Sequence, residues 1–180
     1  IISPPMEKDP IIKPYSVSRM LEIQIEDTLQ PGTTYTFNFG NSIVDNNEGN
    51  VLEQFKYVFS TGDHIDSLEV NGKVIDSRLL ELKSKVNVNL YRLDDTYHDS
   101  IVRKGKPSYV SVTDEEGNFQ FSNLAEGTYL LAAIQKGKEG NQYTYDPEKD
   151  KFAFHPDPIK IPNDSVYNLS LYRGHPSYRL

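Results

Sequence analysis

The sequence predicts an all-β protein built as two tandem antiparallel β-sandwich domains. Three observations lead there. Apolar side chains recur at every second position through most of the chain, the period of a half-buried strand. Clusters of Gly, Pro, Asn and Asp break these runs at short intervals, and each supplies a preset bend or a position that tolerates positive φ. Only SRLLELKSK (77–85) offers a helical turn. It lacks a clean cap and a second apolar turn, so it is expected to be irregular or a short edge strand.

The strands follow in order. In MLEIQIED (20–27), Leu21, Ile23 and Ile25 alternate with Glu22, Gln24 and Glu26. In TTYTFNFG (33–40), Tyr35, Phe37 and Phe39 share a face, and in QFKYVFST (54–61) so do Phe55, Tyr57 and Phe59. A fresh run opens at SLEVNGKVID (67–76). KVNVNLYR (85–92) then places Val86, Val88 and Leu90 together. NFQFSNL (118–124), TYLLAAI (128–134) and VYNLSLYR (166–173) complete the set. One apolar and one wet face per strand is the antiparallel pattern. Turns are expected at Pro31-Gly32, Glu48-Gly49-Asn50, Glu116-Gly117-Asn118, Glu126-Gly127 and 137–140. The aromatic core is led by Tyr35, Phe37, Phe59, Phe119, Phe121 and Tyr129.

Alternation stops at STGDHIDS (60–67), which sets a boundary between a first domain at 1–62 and a second at 63–180. The tail GHPSYRL has no partner pattern and is expected to be loose. The chain opens at IISPP and reads as the interior of a longer protein whose export signal would lie upstream.

Charge and composition remove several functions. A net charge of −7 and pI near 5.1 have the wrong sign for a nucleic-acid binder. The basic cluster Arg103, Lys104 and Lys106 sits among turn residues and reads as a solvated loop. Cysteine is absent, so thiol nucleophiles, disulfides and thiolate metal sites are excluded. No apolar run approaches the roughly 20 residues a membrane helix needs.

Two loops invite a metal reading, and both fail as EF-hand loops. Setting Gly49 at the sixth position puts Val44 first and Phe55 twelfth; setting Gly117 there puts Val112 first and Asn123 twelfth. None of the four supplies the required oxygen at the required place except Asn123, which is not the bidentate Glu. The cluster Asp45, Asn46, Asn47, Glu48 and Asn50 therefore reads as a strand-to-strand turn. In KGKEGNQYTYDPEKDK (136–151), Asn141, Asp146, Glu148 and Asp150 are spaced to reach one cation. They form either a weak calcium site or a solvated loop, and no other cofactor is expected. His64, His98, His155 and His175 are dispersed; His64 and Asp66 share a strand face but lie in the linker.

No nucleophile elbow, phosphate loop or dinucleotide fingerprint occurs. The acids fall in turns or at outward strand positions such as Glu22 and Glu26, so no enzyme is expected. Tyr97, Tyr109, Tyr143, Tyr145 and Tyr178 lie in or beside loops. Such rings either contact a sugar or peptide, with Tyr143 and Tyr145 the first candidates, or cover the ends of the core.

Two segments resemble known families. The first runs from ISPP through FSTG. It carries Leu29, Pro31, Thr33 and Tyr35, then Ile43, Asp45, Gly49 and Asn50, then Phe59, Ser60, Thr61 and Gly62. It resembles the C-terminal part of an SbsA-type bacterial Ig-like domain, with one residue inserted between Asp45 and Gly49. The second resembles a carboxypeptidase-regulatory-like, or prealbumin-like, sandwich through NGKVID, VNVNLYR and the run from Asp114 to Tyr129.

The tandem is similar to cell-envelope proteins of Bacteroidetes, often lipid-anchored. The resemblance implies an extracytoplasmic, non-catalytic spacer or interaction module, whose partner is a protein or a cell-surface glycan. About 62 residues are short for a complete Ig-like sandwich, so the first domain is expected to lack its opening strands and to offer an edge for pairing with another chain.

Overall fold

The computed structural model describes residues 1–82, 84–95, 97–98, 100–137 and 143–174. The protein is all-β, with one helical turn among the described residues, and divides into two compact units, Ile1–Ile65 and Asp66–Leu180.

In unit 1 the residues Thr34–Gly40 form β4, the centre of a three-stranded antiparallel sheet. It pairs with β1 (Ile2–Ser3) on one side and β5 (Phe55–Ser60) on the other. A separate hairpin joins β2 (Ile11–Lys13) to β3 (Glu22–Gln24). Tyr35 and Phe37 are buried with Met6, and the Phe59 ring stacks on both, 5.5 and 6.0 Å away.

The acidic loop after β4 is a turn. The Asp45 carboxylate accepts from Glu48 N, the Gly49 amide donates to Asp45 O, and Gly49 takes φ +73°, which its lack of a Cβ allows. Alternation misplaces one ring here: Tyr57 is half-exposed. It lies on β5 and pairs with Phe37 of β4; β5 has no strand on its far side among the described residues, so the small core ends beneath Tyr57.

Unit 2 is a sandwich of one continuous eight-stranded sheet folded on itself. Its strands are β6 (Leu68–Asp76), β7 (Asn87–Arg92), β8 (Tyr109–Val112), β9 (Asn118–Leu124), β10 (Gly127–Gln135), β11 (Lys151–Phe154), β12 (Ile159–Ile161) and β13 (Val166–Arg173). The order is β8-β7-β10-β11-β13-β6-β9, with β12 also on β10. Two β11–β13 pairs, Lys151↔Arg173 and Phe152↔Tyr172, stitch the halves together. Between the halves lie Val70, Val74, Val88, Leu90, Phe119, Phe121, Tyr129, Leu131, Leu169 and Leu171, all nearly water-free.

Two sequence expectations change. The sheet is not wholly antiparallel: β6 and β13, the first and last strands of the unit, run parallel over six registered pairs. Alternation reports which face is wet and is blind to direction. The stretch holding Arg103 and Lys104 is not a loop but a single helical turn, α1 (Ile101–Lys104), which buries Val102 against the outer face of β7 and β10. That cover explains why Leu131 to Ile134 are buried on both faces of β10 instead of alternating. Residues 77–82 form turns and bends, with Leu80 at φ +61° and its side chain exposed.

Candidate functional site

The residues singled out from sequence converge on the connection from β10 to β11. Asp150 immediately precedes β11 and is 1% exposed. Its Oδ2 accepts from Lys136 Nζ at 2.6 Å and Asp146 N at 2.9 Å, while Oδ1 accepts from Gly137 N at 3.0 Å. Lys136 Nζ also donates to Thr144 O at 3.0 Å. One buried carboxylate thus holds both ends of the connection, and every group around it is a donor. A buried charge is tolerated only with such complete pairing.

Asp146 closes the neighbouring turn. It accepts from Glu148 N at 3.0 Å and pairs with Lys149 Nζ at 2.9 Å; that ammonium, foremost, holds its carboxyl below the usual range. Glu148 points to solvent, and Asn141 lies outside the described residues, as do His175 and Tyr178. The structure therefore brings Asp146 and Asp150 together but surrounds them with ammonium and N–H groups. Among the described residues no group of three or more His, Asp or Glu converges as a metal set.

Tyr143 and Tyr145 are half-buried. The Tyr91 hydroxyl donates to Tyr143 O at 3.2 Å, and Tyr145 N donates to Val102 O at 3.1 Å, which ties the connection to α1. The Tyr145 ring lies 4.3 Å from Phe152, edge-on, and burial pushes its hydroxyl pKa up to about 12. Phe152 in turn contacts Tyr172 at 4.2 Å, and Tyr172 is the more exposed ring of this set. Tyr109, expected beside a loop, is buried on β8 and touches Tyr129 at 5.9 Å.

Two features escaped the sequence reading. The acids are not all outward: Asp76 is 3% exposed at the end of β6, where it accepts from Lys151 Nζ and from the amides of Arg78 and Leu79. The Lys151 hydrogen bond outweighs the cost of desolvation and lowers the Asp76 pKa to about 2. The signal was present, because Asp76 has the same strand parity as Val70 and Val74 and so falls on the apolar face. The second is Asn89, fully buried on β7: its Nδ2 donates to Tyr91 Oη at 3.2 Å, while its Oδ1 has no partner among the described residues.

Within unit 1 an apolar groove of about 370 Å³ is lined by residues including Ile2, Ile12, Pro14, Leu21, Phe37 and Phe39, with no acidic, basic or His side chain in its wall. No helix among the described residues is long and apolar enough to cross a membrane.

Comparison with known proteins agrees in part with the sequence resemblance. Residues 1–61, about a third of the chain, match the family described as bacterial Ig-like domain. No curated protein matches the sequence. Among solved structures, the crystal structure of BcpA, the major pilin subunit of Bacillus cereus, aligns over 83% of this chain at 18% identity with a TM-score of 0.32. The chain spans 41% of that subunit's length, and a TM-score this low carries no argument about function.

Proposed function

We propose that the chain is a non-catalytic structural module of an exported or surface-displayed bacterial protein, serving as a spacer or as a protein-interaction module. The observation that carries this is the commitment of its buried charge. A catalytic site needs titratable groups that converge on a cleft and retain unsatisfied capacity. Here the buried acids Asp76 and Asp150 are each held by a lysine and by backbone amides, and the groove in unit 1 is apolar. The match of residues 1–61 to the bacterial Ig-like domain supports the same reading and a surface or extracellular setting. The far edge of β5, which carries no further strand among the described residues, is where a strand of another chain would add.

External trypsin applied to intact source cells tests the placement. Release of this chain's peptides into the medium is the expected result. Recovery only after lysis, from the soluble cytoplasm, overturns it.

A further inference from the structure

We propose that unit 2 is a tension-bearing link whose mechanical clamp is the parallel pair β6–β13. This deepens the structural reading above and rests on it for its setting.

The argument is topological. Within unit 2 (Asp66–Leu180), β6 is the first strand and β13 the last. Because the two strands are parallel, their starts lie at one end of the pair and their ends at the other. Tension along the chain therefore pulls β6 by its start and β13 by its end, in opposite directions along one axis. The load is shear. It falls on the six registered pairs from Val166↔Asn71 to Leu171↔Asp76 together, and the evenly spaced parallel ladder shares it. If the same strands were pulled from one end, they would part a pair at a time.

The surroundings of the pair resist sliding. Val70 and Val74 on β6, and Tyr167, Leu169 and Leu171 on β13, are buried. A slip of one residue would turn every one of them toward the wrong face. At Gly72 the strands are in close contact, since an added Cβ would meet Tyr167 O at 2.2 Å and the Phe119 ring at 2.4 Å. Past the last registered pair, Ser77 N donates to Leu171 O at 2.9 Å. Asp76, in that last pair, is held by Lys151 of β11, on the far side of β13, so the ion pair braces β6 across its neighbour. Unit 1 has no equivalent among the described residues: its first and last strands, β1 and β5, flank β4 and do not pair with each other.

Single-molecule force spectroscopy on the whole chain tests this, and the absence of cysteine makes introduced thiols unique handles. Ser67→Cys with Arg173→Cys loads the pair in shear. Ser67→Cys with Ser165→Cys pulls both strands from their starts and peels them. All three positions are exposed. At ~3.6 Å per residue, less the folded separation, full release lengthens the tether by about 360 Å in the first geometry and about 350 Å in the second. The shear geometry is expected to require severalfold more force at the same loading rate. Asp76→Asn, which removes the brace's charge while keeping its shape, is expected to lower the shear force and leave the peeling force unchanged.

Equal forces in the two geometries overturn the clamp. An Asp76→Asn effect of the same size in both geometries shows general stability and overturns the brace. A weak clamp on a chain displayed outside the cell removes the load-bearing role and leaves the spacer reading; a strong clamp on a cytoplasmic chain leaves the clamp and removes the surface setting.

Discussion

Replacing Asp76 with Asn isolates the most informative interaction in unit 2. The amide keeps the shape of the carboxyl and an acceptor for the Arg78 and Leu79 amides, but loses the charge that Lys151 neutralises. The folded-state pKa of Asp76 is about 2 against an ordinary 3.8, and a difference of that size corresponds to roughly 2 kcal/mol. Lys151 keeps 31% of its side chain exposed, so solvent screens the pair, and the expected loss at neutral pH is about 1–2 kcal/mol. The sign follows from the direction of the shift. A carboxyl with a depressed folded pKa stabilises fully above its unfolded value and loses that contribution as pH falls through the folded value. The difference between wild type and Asp76→Asn should therefore be full above about pH 4, about half as large near pH 3, and a few tenths of a kcal/mol near pH 2. Urea unfolding followed by circular dichroism at these pH values measures it. Equal midpoints at pH 7, or a gap that persists undiminished at pH 2, would refute the reasoning, because either would mean the ion pair is not what Asp76 contributes.

Further outcomes follow from the geometry. Gly72→Ala should cost about 2–3 kcal/mol, because its methyl has no room beside Tyr167 O and β6 and β13 must separate; a urea midpoint within error of wild type would contradict the contact. Asn89→Val should be within ~1 kcal/mol of neutral, since it removes a buried acceptor without a partner among the described residues along with the Nδ2 bond to Tyr91 Oη. A loss above ~2 kcal/mol on thermal unfolding, more than that one bond contributes, would show that Oδ1 holds a bound donor. Because Asp150 and Asp146 already face lysines and N–H groups, EDTA should leave the Tm unchanged, and a fall in Tm reversed by calcium would restore a cation site at this connection.

Much of the fold was legible because half-buried strands record their environment residue by residue. KVNVNLYR put Val88 and Leu90 inside, and NFQFSNL put Phe119 and Phe121 inside, where both pairs lie. What the period does not carry is direction and partner. VYNLSLYR reads the same whether it runs parallel or antiparallel to β6, so its parallel pairing was invisible. Alternation also fails where a second layer covers the outer face, as α1 does over Ala132 and Ile134. The candidate site was legible only as a cluster of residue types. Asp146 and Asp150 do lie close in space, yet their lysine partners decide their chemistry. Lys136 and Lys149 look, in sequence, like ordinary solvated charges.

The same partners explain why buried charge gathers where it does. Among the described residues the two halves of the unit 2 sheet are joined by two registered β11–β13 pairs, a thin backbone seam for a sandwich whose longest pairings have six. Asp150 and Lys151 sit at the start of β11, one bonding back to Lys136 after β10, the other across to Asp76 at the end of β6. Phe152, next along, carries Tyr145 on one side and Tyr172 on the other. Three consecutive residues thus tie β11 to four other parts of the unit by side chains, at the place where the hydrogen-bond ladder does least. Aromatic contacts of this kind are worth about 0.5–1.5 kcal/mol each beyond the area they bury. The seam is also where load passing through β13 reaches the opposite half of the sandwich. A reactive site would need one of these groups left unsatisfied. Each is instead engaged in holding strands together, so the acid-rich connection acts as a fastening for β11.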